Sequence, residues 1–292
     1  MYSLFIDQKK QIEFEEKGYL VLPLLSGEQV YELKALYEST HSQHAVINNL
    51  HHTTTDTQDT ELIYQIDTDV KRIFSQALDH HLVNYKALAA TFHIKEPGKG
   101  SATGLHQDPT FVDETQYISA NVWVALQDTN ENNGNLYFAE GSNKAIYSLR
   151  ITPASPNYYQ SFIDELRLLV KQVPLKKGEA VIFSNATIHG ATENLSPNVR
   201  LAATLLICSA PAQWLFYYRD KDQPDGEIEK YHLTLEEFVA MQKTGKPSAL
   251  ALSEKIRYEF PSLSLAEYQN RIAEINPKKK TLARLFDFFT AR

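Results

Sequence analysis

Ser119-Ala120-Asn121-Val122-Trp123-Val124-Ala125-Leu126 is the stretch on which the fold turns. It is short and rich in the β-branched and aromatic side chains that suit a pleated surface. A run of this length reads as a strand rather than as a helix. Its neighbours repeat the texture: residues 88–94, 136–138, 180–183 and 200–208 are further short apolar runs, punctuated by turn formers such as Glu96-Pro97-Gly98 and Lys177-Gly178. Asn133-Gly134, just ahead of 136–138, predicts a type I′ hairpin turn, because both central positions of that turn need positive φ. Many short strands at this spacing predict a mainly β architecture, a double-stranded β-helix of the jelly-roll or cupin-like barrel class.

Helical patterns lie on either side. After an apolar run at 19–25, Ser26 and Gln29 stand at capping-box spacing, and Val30, Leu33 and Tyr37 share one helical face. Ile66, Val70, Ile73, Phe74 and Ala77 form a second stripe. Residues 160–170 read as a short helical insertion, and 233–241 and 265–275 as helices. The expectation is one domain over 1–292, with a helical flank (1–82), a β-helix core (83–210) and a helical extension (211–292). Residues 41–60 hold His41, His44, His51 and His52 in a polar setting and predict a solvated loop rather than a metal-binding tract. The aromatic segment Trp214 to Asp220 reads either as a lid or as packing for the C-terminal helices.

Composition narrows the function. The chain of 292 residues carries a formal net charge of −7, which disfavours nucleic acid and anionic membranes as partners. Lys278-Lys279-Lys280 reads as a solvated face. The single cysteine, Cys208, excludes an internal disulfide and sits in an apolar run, where a buried thiol is expected. No basic-then-apolar leader opens the chain, and no run approaches the ~18 apolar residues of a membrane span. A reducing, cytoplasmic setting and a small-molecule substrate are the expectations; nothing in the sequence sets the oligomeric state.

The chemistry centres on Gly104-Leu105-His106-Gln107-Asp108. Side chains at i and i+2 of an extended chain point to one side, so an imidazole nitrogen and a carboxylate oxygen can approach one metal together. Such a pair recurs by chance and decides nothing alone. His189 follows 81 residues later, beyond the strand at 180–183, and Arg200 comes 11 residues after it, past a Ser-Pro-Asn turn. Two histidines and one carboxylate leave three open coordination positions, the arrangement of non-haem iron(II) oxygenases.

These residues stand in an ordered set. Phe14-Glu15-Glu16-Lys17-Gly18-Tyr19 opens it, and Lys95-Glu96-Pro97-Gly98 and His106-Gln107-Asp108 follow. Trp123-Val124-Ala125-Leu126, Asn133-Gly134, Gly141-Ser142, Lys177-Gly178-Glu179, His189-Gly190 and Arg200 complete it. Over roughly residues 12–210 the sequence resembles the phytanoyl-CoA dioxygenase-like branch of the iron(II)- and 2-oxoglutarate-dependent oxygenases. The resemblance implies a double-stranded β-helix with Fe(II) held by His106, Asp108 and His189. It further implies 2-oxoglutarate as cosubstrate, its far carboxylate gripped by the planar fork of Arg200, and O2 as oxidant. The reaction implied is hydroxylation of an unactivated C–H of a small organic substrate, with succinate and CO2 as coproducts.

Where relatives carry Ser, this chain has Ala191 and Ala202, and Glu140-Gly141-Ser142-Asn143 replaces a Pro-Gly-Ser-His element. Secondary cosubstrate contacts therefore fall to other candidates. Thr204 shares a strand face with Arg200, Asn121 and Trp123 share another, and simple barrel packing is the competing reading for all three. His93 and Lys95 alternate onto one face. Lys95 is a candidate anion ligand, against the reading of a sheet lysine with its head in water. A halogenase lacks the carboxylate ligand, which Asp108 supplies here. A cupin-type metal enzyme without 2-oxoglutarate has no use for Arg200, and a non-catalytic barrel has no use for the triad.

Overall fold

The computed structural model describes residues 2–41, 49–153, 158–222 and 226–275. His44 and Lys278-Lys279-Lys280 lie outside these residues. In chain order the elements are α1 (Gln8–Lys17), β1 (Tyr19–Pro23), α2 (Gly27–His41), β2 (His51–Thr53), α3 (Thr60–Leu78), β3 (Tyr85–Lys95), β4 (Thr103–His106) and β5 (Ser119–Ala125). Then come β6 (Leu136–Phe138), α4 (Ser142–Ala145), α5 (Ile163–Leu169), β7 (Lys171–Val173), β8 (Glu179–Ser184), β9 (His189–Ala191) and β10 (Arg200–Ser209). The chain continues through β11 (Leu215–Tyr218), β12 (Ile228–His232), α6 (Leu235–Thr244), β13 (Leu252–Ile256) and α7 (Leu265–Ile275).

The helix ends follow local chemistry. Asp7 caps α1 by accepting from the Lys9 and Lys10 amides, and Gly18, at φ +85°, closes it with its N–H on Phe14 O. Ser26 and Gln29 form the expected reciprocal capping box ahead of α2, at 3.0 and 3.2 Å. Asp59 caps α3, whose stripe of Leu62, Ile66, Val70, Ile73 and Phe74 is buried.

Two antiparallel sheets make the core, in the order β1-β8-β5-β10-β3-β2 and β4-β9-β6-β7. From β3 to β6, and again from β7 to β10, the chain crosses between the sheets at nearly every step, which is the winding of a double-stranded β-helix. Helices α2 and α3 cover the outer face of the large sheet, meeting Phe92, Val122, Val124, Ile182 and Leu205. Its inner face turns Trp123, Val181, Phe183 and Ala202 toward Leu136, Phe138 and Ala191 of the small sheet. Strand β10 is therefore buried at all ten positions, which is why it reads, between Arg200 and Ser209, as an apolar run broken only by Thr204.

A bulge in the β3–β10 pairing leaves Leu88 without a register partner. Helix α3 absorbs it: Lys71 Nζ donates to Leu88 O at 2.9 Å, and Asp67 Oδ1 accepts from the Ala90 amide at 2.8 Å.

Three expectations need correction. Asn133-Gly134 is not a hairpin turn: β5 pairs with β8 and β10, whereas β6 lies in the other sheet, so residues 126–135 form a crossover. Gly134 has φ +84°, but Asn133 is not at positive φ; its side chain instead pins the loop, accepting from the Asn130 amide and donating to Asp128 O. The extension after residue 210 is not wholly helical. It holds α6 and α7 at the expected places, but β11, β12 and β13 form a third antiparallel sheet. Of the two readings of the Trp214 segment, the structure shows packing: Trp214 and Phe216 are buried against Leu233 and Phe238. Finally, the segment read as a histidine-rich loop contains β2, with His51 and Thr53 registered against Lys95 and His93.

Gly190 shows how closely the small sheet is assembled. The Tyr137 ring crosses it to donate to Thr103 O at 3.0 Å, and a Cβ at Gly190 would stand 2.6 Å from both that ring and Thr103 O. Gly190→Ala is therefore expected to lower stability by about 1–3 kcal/mol, the usual range for overpacking, in urea unfolding followed by circular dichroism.

Candidate metal centre

Strands β4 and β9 pair antiparallel with His106 opposite His189, and this register brings the two rings to 4.3 Å between centroids. Asp108 enters just beyond β4. Its Oδ1 lies 3.7 Å from His106 Nε2 and 3.9 Å from His189 Nε2, and the three ligand atoms fall within 4.8 Å of one another. Both histidines use Nδ1 on a backbone carbonyl two residues back: His106 on Gly104 O and His189 on Thr187 O, each at 2.9 Å. With Nδ1 so engaged, each ring presents an Nε2 lone pair to the gap. Burial, aided by the adjacent His106, pushes His189 down to about 4, which keeps it neutral and fit to ligate. Asn121 Nδ2 donates to Asp108 Oδ2 at 2.8 Å and so turns the other carboxylate oxygen toward the histidines. Two imidazoles and one carboxylate on one side of a cavity fit a divalent metal of the first transition row.

Arg200 supplies the second feature. It is 1% exposed, yet its Nε and one terminal nitrogen have no hydrogen-bond partner. Burial pushes its guanidinium down to about 9. It lies over the Trp123 ring, 5.1 Å from the centroid, and Trp123 is the register partner of Thr204. The hydroxyl of Thr204 is also buried and unpartnered. A buried cation and a hydroxyl left open toward one cavity form a socket for an anion, because donors stranded away from water are costly unless something accepts from them.

The same cavity is lined by His106, Asp108, His189, Asn121, Trp123 and Arg200, so the expected site residues converge. Lys95 does not join that wall. It is fully buried beside Arg200, its register partner on β10, with its Nζ donating to Thr192 O at 2.8 Å, so its head is neither in water nor in the cavity. Burial first, then the charge of Arg200, push it down to about 7.

The sequence pattern of the phytanoyl-CoA dioxygenase (PhyH) family matches residues 14–202. The chain belongs to the phytanoyl-CoA dioxygenase family. Among relatives, phytanoyl-CoA dioxygenase domain-containing protein 1 of Danio rerio is 32% identical over 148 residues, covering 46% of this chain and 50% of that protein. Phytanoyl-CoA dioxygenase 1 of Oryza sativa subsp. japonica is 30% identical over 130 residues, 44% of this chain and 46% of that protein. The chain thus spans about half the length of the curated relatives it matches. The fold is shared with the non-heme alpha ketoglutarate dependent carbocyclase SnoK from nogalamycin biosynthesis, at a TM-score of 0.55 and 17% identity over 75% of this chain and 89% of that one. It is shared also with EctD from S. alaskensis, at 0.52 and 17% over 72% and 78%.

Several cavity residues of this family member escaped the sequence reading. His51, taken for part of a solvated loop, reaches the cavity from β2; its Nδ1 meets Thr103 Oγ1 at 3.1 Å and its Nε2 meets His93 Nδ1 at 3.4 Å. The alternation His51, Thr53 was the available signal, but only pairing with β3 gives it a face. Phe111 and Phe238 form an apolar part of the wall, the latter from α6, beyond the residues matched by the family pattern. Among the described residues no helix is long and apolar enough to cross a membrane.

Burial pushes His51 down to about 3 and holds His93 well below the ordinary range, so both stay neutral near pH 7. An unfolded chain takes up protons at histidine near pH 6.5, and the fold resists them. Their contribution to stability is thus complete above about pH 7 and declines as the pH falls from 6.5 toward the folded values. Urea unfolding of metal-free protein between pH 7.5 and 5 is expected to lose up to about 1.4 kcal/mol per pH unit for each such histidine, with a flatter slope in His51→Asn. Asn121→Ala, which frees the Asp108 carboxylate, is expected to weaken Co(II) binding about 10-fold or more in a titration followed by absorbance.

Proposed function

We propose that the protein is an Fe(II)- and 2-oxoglutarate-dependent dioxygenase that hydroxylates an unactivated C–H of a small organic substrate. The observation that carries this reading is Arg200: a buried guanidinium with unpartnered nitrogens beside a His-Asp-His cluster. His106, Asp108 and His189 would hold the iron, and Arg200 with Thr204 would take the far carboxylate of the cosubstrate. When bound, the iron with 2-oxoglutarate and O2 supplies the oxidative chemistry, which converts RH, O2 and 2-oxoglutarate into ROH, succinate and CO2.

The chain's own groups do the positioning. Asn121 holds Asp108 so that one oxygen ligates and the other stays occupied. The carbonyls of Gly104 and Thr187 fix the two imidazoles. Trp123 places its ring against the Arg200 guanidinium, 5.1 Å from ring centroid to the guanidinium carbon, a cation–π contact that helps to hold the charge in place. Phe111, Leu206 and Phe238 offer an apolar surface, and His51, Thr55 and Thr91 offer hydrogen-bonding groups. That mixture suits an amphipathic molecule with one polar handle. The structural neighbours SnoK and EctD, from nogalamycin biosynthesis and in complex with 5-hydroxyectoine respectively, accord with a small-molecule substrate. The net charge of −7 disfavours nucleic acid. A reducing, cytoplasmic setting would suit ferrous iron and the free buried thiol of Cys208.

A cupin-type enzyme that uses no 2-oxoglutarate explains the triad but leaves Arg200 without purpose. Anaerobic addition of Fe(II) and 2-oxoglutarate to metal-free protein separates the two. The visible charge-transfer band of the chelate is expected in the native protein and absent in His189→Ala. Arg200→Ala is expected to raise the 2-oxoglutarate concentration needed for the band on the order of 100-fold, since a buried charge then loses its partner. Iron binding without a band would favour the cupin-type reading.

A further inference from the structure

Arg150 is among the most enclosed charged residues of the chain, at 3% exposure, and lies outside the cavity just described. Each of its three guanidinium nitrogens is engaged. Two nitrogens grip both oxygens of Glu114, at 2.8 and 2.5 Å, and one of them also donates to Ser148 O at 3.1 Å. The remaining Nε donates to the backbone oxygen of Asp108 at 2.6 Å. The backbone of Arg150 is tied to the same segment, its amide donating to Thr110 Oγ1 and its carbonyl accepting from the Thr110 amide, both at 3.0 Å. A single side chain and its own backbone, in the segment that follows α4, thus staple residues 108–114 at three places.

The contact with Asp108 matters because Pro109 follows it. The peptide between them has no N–H, so the Asp108 oxygen is its only hydrogen-bonding group. Orientation of that peptide plane sets the direction in which the Asp108 carboxylate leaves the chain. The amide of Asp108 is held separately by Asn185 O at 3.0 Å, and the carboxylate by Asn121. Arg150 supplies the hold on the third side.

We infer that Arg150, locked by Glu114, is a positioning residue for the metal, aiming the Asp108 carboxylate through the Asp108 carbonyl. The inference rests on the proposal that His106, Asp108 and His189 bind a metal. It assigns the Arg150–Glu114 pair a role that a surface ion pair does not have: the fork fixes the plane of the guanidinium, and the plane sets where Nε points. A lysine retains the charge but has no fork and no Nε, so it cannot satisfy Glu114 and the Asp108 carbonyl in the same geometry.

The test is Co(II) titration of the full-length, metal-free protein, read by the d–d absorption band, alongside near-ultraviolet circular dichroism to confirm the fold. Arg150→Lys is expected to weaken Co(II) binding about 10- to 100-fold, the range for loss of an outer partner of a ligand, and to change the band shape. Because a broken buried pair can prevent folding, the double variant Glu114→Leu/Arg150→Met removes both charges at once, a change that buried pairs often tolerate. It is expected to fold and to show the same loss of affinity and the same altered band. Lys176→Met, which breaks the exposed pair with Asp128, is expected to change neither. Co(II) affinity within twofold of the native protein and an unchanged band in the double variant would overturn the inference, whatever its melting temperature. Failure of the native protein itself to bind Co(II) would overturn the metal reading and this inference with it, so the two failures are distinguishable.

Discussion

The antiparallel pairing of β4 with β9 is the constraint from which the site follows. It sets His106 opposite His189 across two short strands, although 83 residues separate them in the chain. A one-residue slip would turn one ring to the other face of the sheet. The register is held by groups that need those positions for other reasons. Gly190 admits the Tyr137 ring over β9, and that ring reaches across to Thr103 O. The tyrosine comes from β6, so the third strand of the small sheet fixes the pairing of the first two.

The large sheet contributes the anion socket by a different route. Arg200 opens β10, a strand buried on both faces, and the burial of a guanidinium with open donors is tolerated only where an acceptor is to be supplied. Trp123 from β5 and Thr204 further along β10 complete it. Lys95, on the neighbouring strand, is silenced by Thr192 O and by its own burial, so the cavity presents one strong cation rather than two. Specificity would then rest on the part of the cavity wall that β2, the loop after β4 and helix α6 contribute. His51, Phe111 and Phe238 come from these three separate places, and the last lies beyond the residues the family pattern covers.

Much of this was legible in the chain. The strand runs at 88–94, 119–126, 180–183 and 200–208 are too short and too apolar to be anything but buried strands, and each lies in or across the strand expected. The capping pair Ser26 and Gln29 is a local interaction and needs no tertiary context. The i, i+2 spacing of His106 and Asp108 marked that pair, because such alternation is a property of any extended chain, and the ordered set of motifs added His189 and Arg200. The misreadings were of partnership. Asn133-Gly134 has the composition of a hairpin turn, but composition does not say to which sheet the next strand belongs. Residues 215–218 and 228–232 lie where helices were expected; they pair with each other, and the second partner of 228–232, β13, comes 20 residues later still.

The sequence by itself marked the apolar strands of the core, the start of the second helix, and four side chains as candidates for the chemistry, since these depend on periodicity and on side-chain type. Only the tertiary structure decided that Lys95 is withdrawn, that His51 belongs to the cavity, that Asn121 serves Asp108, and that Arg150 reaches its carbonyl. Each of those facts is a contact between residues distant in the chain. Such contacts are set by sheet register and by which face each strand turns inward, and a residue's own neighbours in sequence carry no record of either.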